Sequence, residues 1–198
     1  MILYTVGNGL YINLTNRCPC RCTFCIRNHS NGIGTGENLW LQRDPSAQEV
    51  IEALRESNLE QYEEIVFCGY GEPTCQLETL LAVCDYLKGV TKKKIRLNSN
   101  GLSDLINQKP TATLLQGRID SISISLNAPT EEEYLAVSHP SFGKIAFDAM
   151  LKFAADCKQF LPEVQFSVVD VITQEQVERC KQLANSMGIP LRIREYIK

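Results

Sequence analysis

The sequence predicts an α/β fold, an open partial (β/α)6 barrel with a parallel sheet and outer helices. Three observations carry that expectation. Short runs of strand character alternate with longer amphipathic segments, the order that right-handed βαβ crossovers require. Six strand–helix units can be counted, whereas a closed barrel takes eight and roughly 250 residues. The chain has 198 residues, 44% apolar and 22% charged, an ordinary globular composition with enough length for one core. A single domain over residues 1–198 is expected.

The elements follow in order. Leu3–Val6 and Leu10–Leu14 flank Gly7-Asn8-Gly9, which tolerates positive φ, so the chain opens with a hairpin. After Asp44-Pro45, Ser46 and Glu49 form a capping box for a helix with Ala47, Val50, Ile51 and Leu54 at helical spacing. A strand at Glu64–Cys68 follows. Leu77, Leu80, Leu81, Cys84 and Leu87 line one face of the next helix, which Gly89 is placed to end. Lys94–Leu97 reads as a strand and Thr111–Gln116 as a short helix. Ile119–Leu126 alternates polar and apolar residues, so its serines should face the barrel interior and its isoleucines the helices. Thr130 with Glu133 starts a short helix before Pro140, and a longer one carrying Ala146, Ala149, Met150, Phe153 and Cys157 stops at Pro162. After the strand Val164–Ile172, Thr173 and Gln176 cap a helix whose face is Val177, Cys180, Leu183, Ala184 and Met187, closed by Gly188 and Pro190. Leu191–Tyr196 is the last strand. In such folds the chemistry sits on loops that leave the carboxyl ends of the strands.

Twenty Lys and Arg against 23 Asp and Glu give a net charge of −3, without the basic excess that nucleic-acid phosphates select. No nucleic-acid partner is evident. No stretch approaches the roughly 18 apolar residues of a membrane span. Met1–Leu14 lacks the basic start and apolar run of a signal peptide, so a cytoplasmic, reducing setting without disulfides is expected. The nine cysteines then divide between ligands and core.

Four of them stand within eight residues, in Cys18-Pro19-Cys20-Arg21-Cys22-Thr23-Phe24-Cys25, immediately after the first parallel strand. Cys18, Cys22 and Cys25 follow C-x3-C-x2-C spacing. Three thiolates on one tight loop can hold three irons of a 4Fe-4S cluster and leave the fourth open, the mark of a reactive rather than a closed site. A zinc site is the alternative, with His29 as fourth ligand, although structural zinc usually takes two separated cysteine pairs. Cys20 could replace Cys18 as a ligand; the spacing favours Cys18.

The triplet, with Phe24 just before its last cysteine, resembles the signature of the radical S-adenosylmethionine (radical SAM) superfamily. That resemblance implies a 4Fe-4S cluster on Cys18, Cys22 and Cys25 whose open iron is chelated by S-adenosylmethionine. Reduction would cleave the sulfonium to methionine and a 5′-deoxyadenosyl radical that abstracts a substrate hydrogen. It further implies a low-potential electron donor such as flavodoxin or ferredoxin, with Phe24 near the adenine.

Later strand ends extend the resemblance. Gly69-Tyr70-Gly71-Glu72-Pro73 is similar to the family's Gly-Gly-Glu-Pro, which contacts the methionyl ammonium; Tyr70 departs from the doubled glycine. Glycine allows close backbone approach, and Glu72 can accept a charge-assisted bond from an ammonium, or merely cap the following helix. Asn98-Ser99-Asn100-Gly101 resembles a family Thr-Asn-Gly, but Asn-Gly is also a common turn. By the same resemblance Ser125 and Asn127 contact the S-adenosylmethionine carboxylate or ribose, and Asp170 the adenosine. Asp170 interrupts an apolar strand, where a charge needs either a ligand or an ion pair.

The short length, Asn38–Leu41 and the Gly-Tyr-Gly-Glu-Pro form look most like the small radical SAM proteins associated with TatD-type hydrolases, which bring no established substrate. One cluster is expected, since no cysteine spacing supports a second. Gly32–Gly36 is no nucleotide fingerprint because Glu37 takes the last glycine's place. Asn28–Gln42 is expected to be a flexible loop over the site, Lys92–Lys94 a solvated turn, and His139 structural. Cys84, Cys157 and Cys180 fall on apolar helix faces; Cys68 and Cys75 bracket the glycine turn and are candidate hydrogen donors or resolving thiols.

Overall fold

The computed structural model describes residues 1–28 and 38–196. Strands β1 (Leu3–Val6) and β2 (Gly9–Ile12) pair antiparallel with Val6 opposite Gly9. Their two-residue loop puts Gly7 at φ +56°, as the first position of a type II′ turn demands. From β2 onward the strands run parallel and in chain order: β3 (Glu64–Phe67), β4 (Lys94–Ser99), β5 (Ser121–Ser125), β6 (Glu163–Val169) and β7 (Leu191–Arg194). The sheet therefore has seven strands, six of them parallel, with β1 and β7 as unjoined edges. The parallel register places the carboxyl ends of β2 to β7 along one rim.

The connecting helices are α1 (Ala47–Arg55), α2 (Leu77–Val90), α3 (Ser103–Asn107), α4 (Ala112–Leu115), α5 (Glu131–Ser138), α6 (Ile145–Phe160) and α7 (Gln174–Ser186). Both capping boxes form: Ser46 and Glu49 exchange bonds at α1, as do Thr173 and Gln176 at α7. Thr130 accepts from the Glu133 N–H at α5, and His139 ends that helix at φ +41°. Gly188, at φ +61°, follows α7 as expected.

Some boundaries differ from expectation. Helix α2 runs through Gly89 and closes at Thr91, whose N–H bonds to the Leu87 carbonyl at 2.9 Å, so the glycine ends nothing. Five-residue α3 was not foreseen, because so short a segment shows no period; Gln108 ends it in the left-handed region at φ 52°. Strand β6 stops at Val169, three residues short of Ile172. Lysines of the Lys92–Lys94 run are ion-paired, Lys93 to Glu60 at 3.5 Å and Lys94 to Glu163 at 2.5 Å.

Alternate strand residues face the helices. Ile12, Ile65, Phe67, Ile95, Leu97, Ile122, Ile124, Phe166 and Val168 join Leu80, Leu87, Met150 and Phe153 in one buried core. Each such side chain contributes about 1.5–3 kcal/mol on burial. Cys84, Cys157 and Cys180 are wholly buried there, as their helical positions imply. The intervening strand residues make the other face polar: Tyr11, Arg96, Asn98, Ser121, Ser123, Ser125 and Ser167 belong to it. Among the described residues no helix is long and apolar enough to cross a membrane.

Gly101 sits where β4 turns out of the sheet, at φ +78°, and an added Cβ would stand 2.6 Å from Met150 Cγ and 2.9 Å from Ile124 Cγ2. Gly101→Ala is therefore expected to cost about 2–4 kcal/mol, from left-handed strain plus overpacking, measured as a lowered urea midpoint at unchanged m value.

Candidate active site at the carboxyl rim of the sheet

The cysteine loop leaves β2 and lies against α5. Arg21 N–H donates to the Ser138 carbonyl at 3.0 Å, Thr23 N–H to the Val137 carbonyl at 2.9 Å, and Ser141 N–H to the Pro19 carbonyl at 2.8 Å. Cys18, Cys22 and Cys25 are half-buried and Cys20 is buried. Hydrogen bonding to Cys20 pulls the Cys18 and Cys22 thiols below their usual range, while the same contacts and burial push Cys20 up. The Cys20 backbone N–H also donates to Cys18 Sγ at 3.5 Å. Tyr134 shares a hydrogen bond with Cys20 and Ser138 one with Cys22.

Arg27 fastens the far end of the loop. Its Nε donates to Cys25 Sγ at 3.3 Å, Nη1 to the Asn16 carbonyl at 3.1 Å and Nη2 to the Cys20 carbonyl at 3.4 Å. Asn100 reaches the other end, its Nδ2 at 3.8 Å from both Cys18 Sγ and Cys20 Sγ, while its Oδ1 accepts from the Leu102 N–H at 2.9 Å. Among the described residues no three His, Cys, Asp or Glu side chains converge as a single-ion site does. His29 and the Gly32–Glu37 stretch lie outside the described residues.

The glycines after β3 are required by protein contacts. A Cβ on Gly69 would stand 2.0 Å from Asn13 Oδ1, and one on Gly71 only 2.4 Å and 2.5 Å from the Thr15 and Arg17 carbonyls. The turn is thus pressed against the root of the cysteine loop, and the Glu72 N–H donates to the Arg17 carbonyl at 2.8 Å. Pro73 begins a single 3-10 turn that Glu72 caps. Tyr70, the departure from two glycines, is buried with Tyr4 and Leu39, and Trp40 meets its ring edge-on at a centroid distance of 5.0 Å.

Glu72 is buried and spends its carboxylate on the protein. Oε1 accepts from Thr74 Oγ1 at 2.8 Å, Ser99 Oγ at 2.9 Å and Thr74 N–H at 3.2 Å; Oε2 accepts from the Asn100 N–H at 2.6 Å. Burial pushes its pKa up against the pull of these donors. Its observed work is to join the turn after β3 to the turn after β4.

Past β5, Ser125 lies opposite Ser167, and Asn127 is buried at φ +62°. Asn127 Nδ2 donates to Ser138 Oγ at 3.0 Å, while its Oδ1 is buried with no partner among the described residues. Phe24 is half-buried within the cysteine loop. Asp170 differs from expectation: it lies beyond the end of β6, is exposed, and accepts from the Tyr196 N–H at 2.6 Å. The charge is therefore not buried in a strand and needs no ion pair. Cys68 offers its carbonyl to Tyr4 Oη at 3.1 Å, and burial lifts the Cys75 thiol to about 12, which does not suit a resolving thiolate.

Sequence reasoning missed Arg27, Tyr134 and Ser138. The last two are four apart on one face of α5, a pairing that identifies a face but not what it touches.

The model of the radical SAM superfamily matches residues 12–186. The chain belongs to that superfamily. The superfamily uses a 4Fe-4S cluster and S-adenosylmethionine. A curated relative, "Probable dual-specificity RNA methyltransferase RlmN" of Prochlorococcus marinus (strain MIT 9303), is 28% identical over 154 residues, 73% of this chain and 39% of that protein. A second of the same name, from Synechococcus sp. (strain CC9311), is 27% identical over 155 residues, 73% of this chain and 40% of that protein. The chain thus spans about two fifths of the curated relatives it matches. Among solved structures, Streptococcus suis SuiB bound to precursor peptide SuiA superposes with TM-score 0.71 at 18% identity, over 98% of this chain and 40% of that one. "Native anSMEcpe with bound AdoMet" superposes with TM-score 0.65 at 17% identity, over 95% of this chain and 51% of that one. At these identities the superpositions show a shared fold.

Glu72→Gln presents an amide N–H2 toward at least one of the four donors and removes the charge they share. The expected loss is about 1–3 kcal/mol in urea unfolding; an unchanged midpoint would mean that the carboxylate does not join the two turns.

Proposed function

We propose that this single-domain chain forms a partial (β/α)6 barrel and acts as a radical SAM enzyme, with Cys18, Cys22 and Cys25 as ligands of a 4Fe-4S cluster. The observation that supports it best is the meeting at one rim of the three-thiol loop, the Glu72 junction and the Asn127 carbonyl oxygen, which has no partner among the described residues. When bound, cluster and S-adenosylmethionine supply reductive cleavage to methionine and a 5′-deoxyadenosyl radical that takes hydrogen from a substrate.

The chain's own residues hold and orient. Arg27 donates to Cys25 Sγ, and hydrogen bonding with Cys20 pulls the Cys18 and Cys22 thiols below their usual range. The buried Asn127 Oδ1 is an acceptor awaiting a donor, as an ammonium or ribose hydroxyl would provide. Phe24, Gly69, Gly71, Pro73, Asn100 and Ser125 complete the S-adenosylmethionine site in this reading, with Glu72 acting through the two turns it joins. Asp170, at the mouth of β6, is its outermost member. A low-potential donor such as flavodoxin or ferredoxin would deliver the electron, in a cytoplasmic setting. The small radical SAM proteins associated with TatD-type hydrolases are the subfamily we favour, so a functional link to such a hydrolase is part of the proposal. The substrate stays open: the name RNA methyltransferase belongs to the curated relatives and a bound precursor peptide to a structural neighbour, and a net charge of −3 gives RNA no general attraction.

A closed, non-catalytic iron–sulfur or zinc module is the second reading, favoured by one observation: buried Cys20 stands against Cys18 and Cys22 as a fourth thiol. Anaerobic reconstitution with iron and sulfide, then reduction with S-adenosylmethionine present, separates the two. Methionine and 5′-deoxyadenosine should be released, and Cys18→Ala, Cys22→Ala or Cys25→Ala should each lose the cluster absorbance while Cys20→Ala retains it. Stoichiometric zinc with no iron uptake, or loss of metal when Cys20 is replaced as well as when any of the other three is, supports the module instead.

A further inference from the structure

The polar face of the sheet carries three arginines, and two of them form no ion pair among the described residues, Arg192 lying only near enough to Glu64 to help Arg96 hold its carboxyl below the usual range. Arg96 is satisfied: its guanidinium donates to Glu64 at 2.6 and 3.0 Å, to Asn98 Oδ1 at 2.8 Å and to Tyr11 Oη at 3.3 Å. Glu163 is engaged by Lys94, and Asp170 turns its carboxylate to the Tyr196 N–H. Arg192 and Arg194, two residues apart on β7, share the strand face opposite core-packed Leu191's. Neither forms an ion pair among the described residues.

Arg194 is the sharper case. It ends β7, opposite Val169, and its Nε is buried without a hydrogen-bond partner among the described residues. Arg194 therefore stands at the same carboxyl rim from which the cysteine loop leaves β2, on the face that carries Arg96 and Ser167. Burial and the two neighbouring arginines depress its pKa, yet a guanidinium stays charged at neutral pH. An unpaired cation in such a place is costly unless a ligand anion completes it. Two residues back on the same strand, exposed Arg192 lines a separate cavity of about 700 Å³ at the amino ends of the strands, where Glu64 and Glu163 stand with Arg96; Arg194 is not part of it.

We propose that Arg194, assisted by Arg192, is the anchor for an anionic group of the substrate, a carboxylate or a phosphate, which is thereby held over the polar face beside the cysteine loop. A guanidinium offers either anion two parallel N–H donors, so one end of the substrate would be fixed and oriented. The anchor stands on β7, whereas the S-adenosylmethionine contacts proposed above come mainly from the ends of β3 to β5, so the two ligands would not compete. This inference deepens the enzyme reading and rests on it for the word substrate; the anion site itself does not need the cluster.

The test titrates inorganic phosphate and malonate, separately, into the protein before and after cluster reconstitution, with heat or chemical-shift change as the readout. At least one anion should bind the wild type. Arg194→Gln should weaken it tenfold or more, Arg192→Gln about threefold, and Arg194→Lys less than Arg194→Gln, with S-adenosylmethionine affinity unchanged. Arg194→Gln should also unfold at a higher temperature than wild type in buffer free of both anions, because it removes a half-buried cation that is repelled by Arg192 and Arg96. Preference for phosphate assigns a phosphorylated substrate, and preference for malonate a carboxylated one. No anion binding, equal binding by Arg194→Gln, or a loss confined to S-adenosylmethionine overturns the proposal. Failure to release methionine with anion binding intact overturns the enzyme reading alone.

Discussion

A buried carboxylate organises the carboxyl rim of the sheet. Glu72 is 3% exposed and accepts four hydrogen bonds, two from Thr74 beside it and two from Ser99 and Asn100 after the next strand. Removing such a charge from water costs several kcal/mol, a cost met only where donors surround it. The junction sets Asn100, and through Asn100 Nδ2 the position of Cys18 and Cys20. On its other side the Glu72 N–H is bound to the Arg17 carbonyl, one residue before the first cysteine of the triplet. Three loops from three strands are thereby fixed relative to one another around one side chain.

The sulfur chemistry depends on this fixed frame. Two donors orient the sulfurs, the Arg27 guanidinium at Cys25 and the Asn100 amide at Cys18, and hydrogen bonding with Cys20 pulls the Cys18 and Cys22 thiols below their usual range. Helix α5 supplies the opposing wall through Tyr134, Val137 and Ser138. Ser138 links Cys22 to Asn127, so the loop after β2 and the loop after β5 share a hydrogen-bond chain. Groups that touch no cofactor in this scheme decide where those that do will stand.

Most of the fold was legible because its signals are local. Capping at Ser46, Thr130 and Thr173, the glycine-first hairpin turn and the serine–isoleucine alternation of β5 each involve residues a few positions apart. Boundaries fared less well. Gly89 looks like a stop, but only the hydrogen bonding at Thr91 decides where α2 ends, and α3 is too short to carry a period. In the site, the order of the motifs after successive strands was visible. The exposed placement of Asp170 was not, since two or three residues at a strand end separate an interior position from a solvent one.

The sequence by itself determined the alternation of strands and helices, the four cysteines in eight residues and the motifs that follow each strand. Those are properties of neighbours along the chain, and spacing and residue type suffice to read them. Tertiary structure alone decided that Gly69 and Gly71 are needed for contact with Asn13 and with the Thr15 and Arg17 carbonyls, and that Glu72 bridges two turns. It alone separated satisfied Arg96 from Arg194, whose Nε has no partner among the described residues, on the same face of the sheet. Partners 28 or 32 residues apart along the chain, such as Glu72 with Asn100 or Glu64 with Arg96, meet only when parallel strands come into register. No local pattern encodes that meeting.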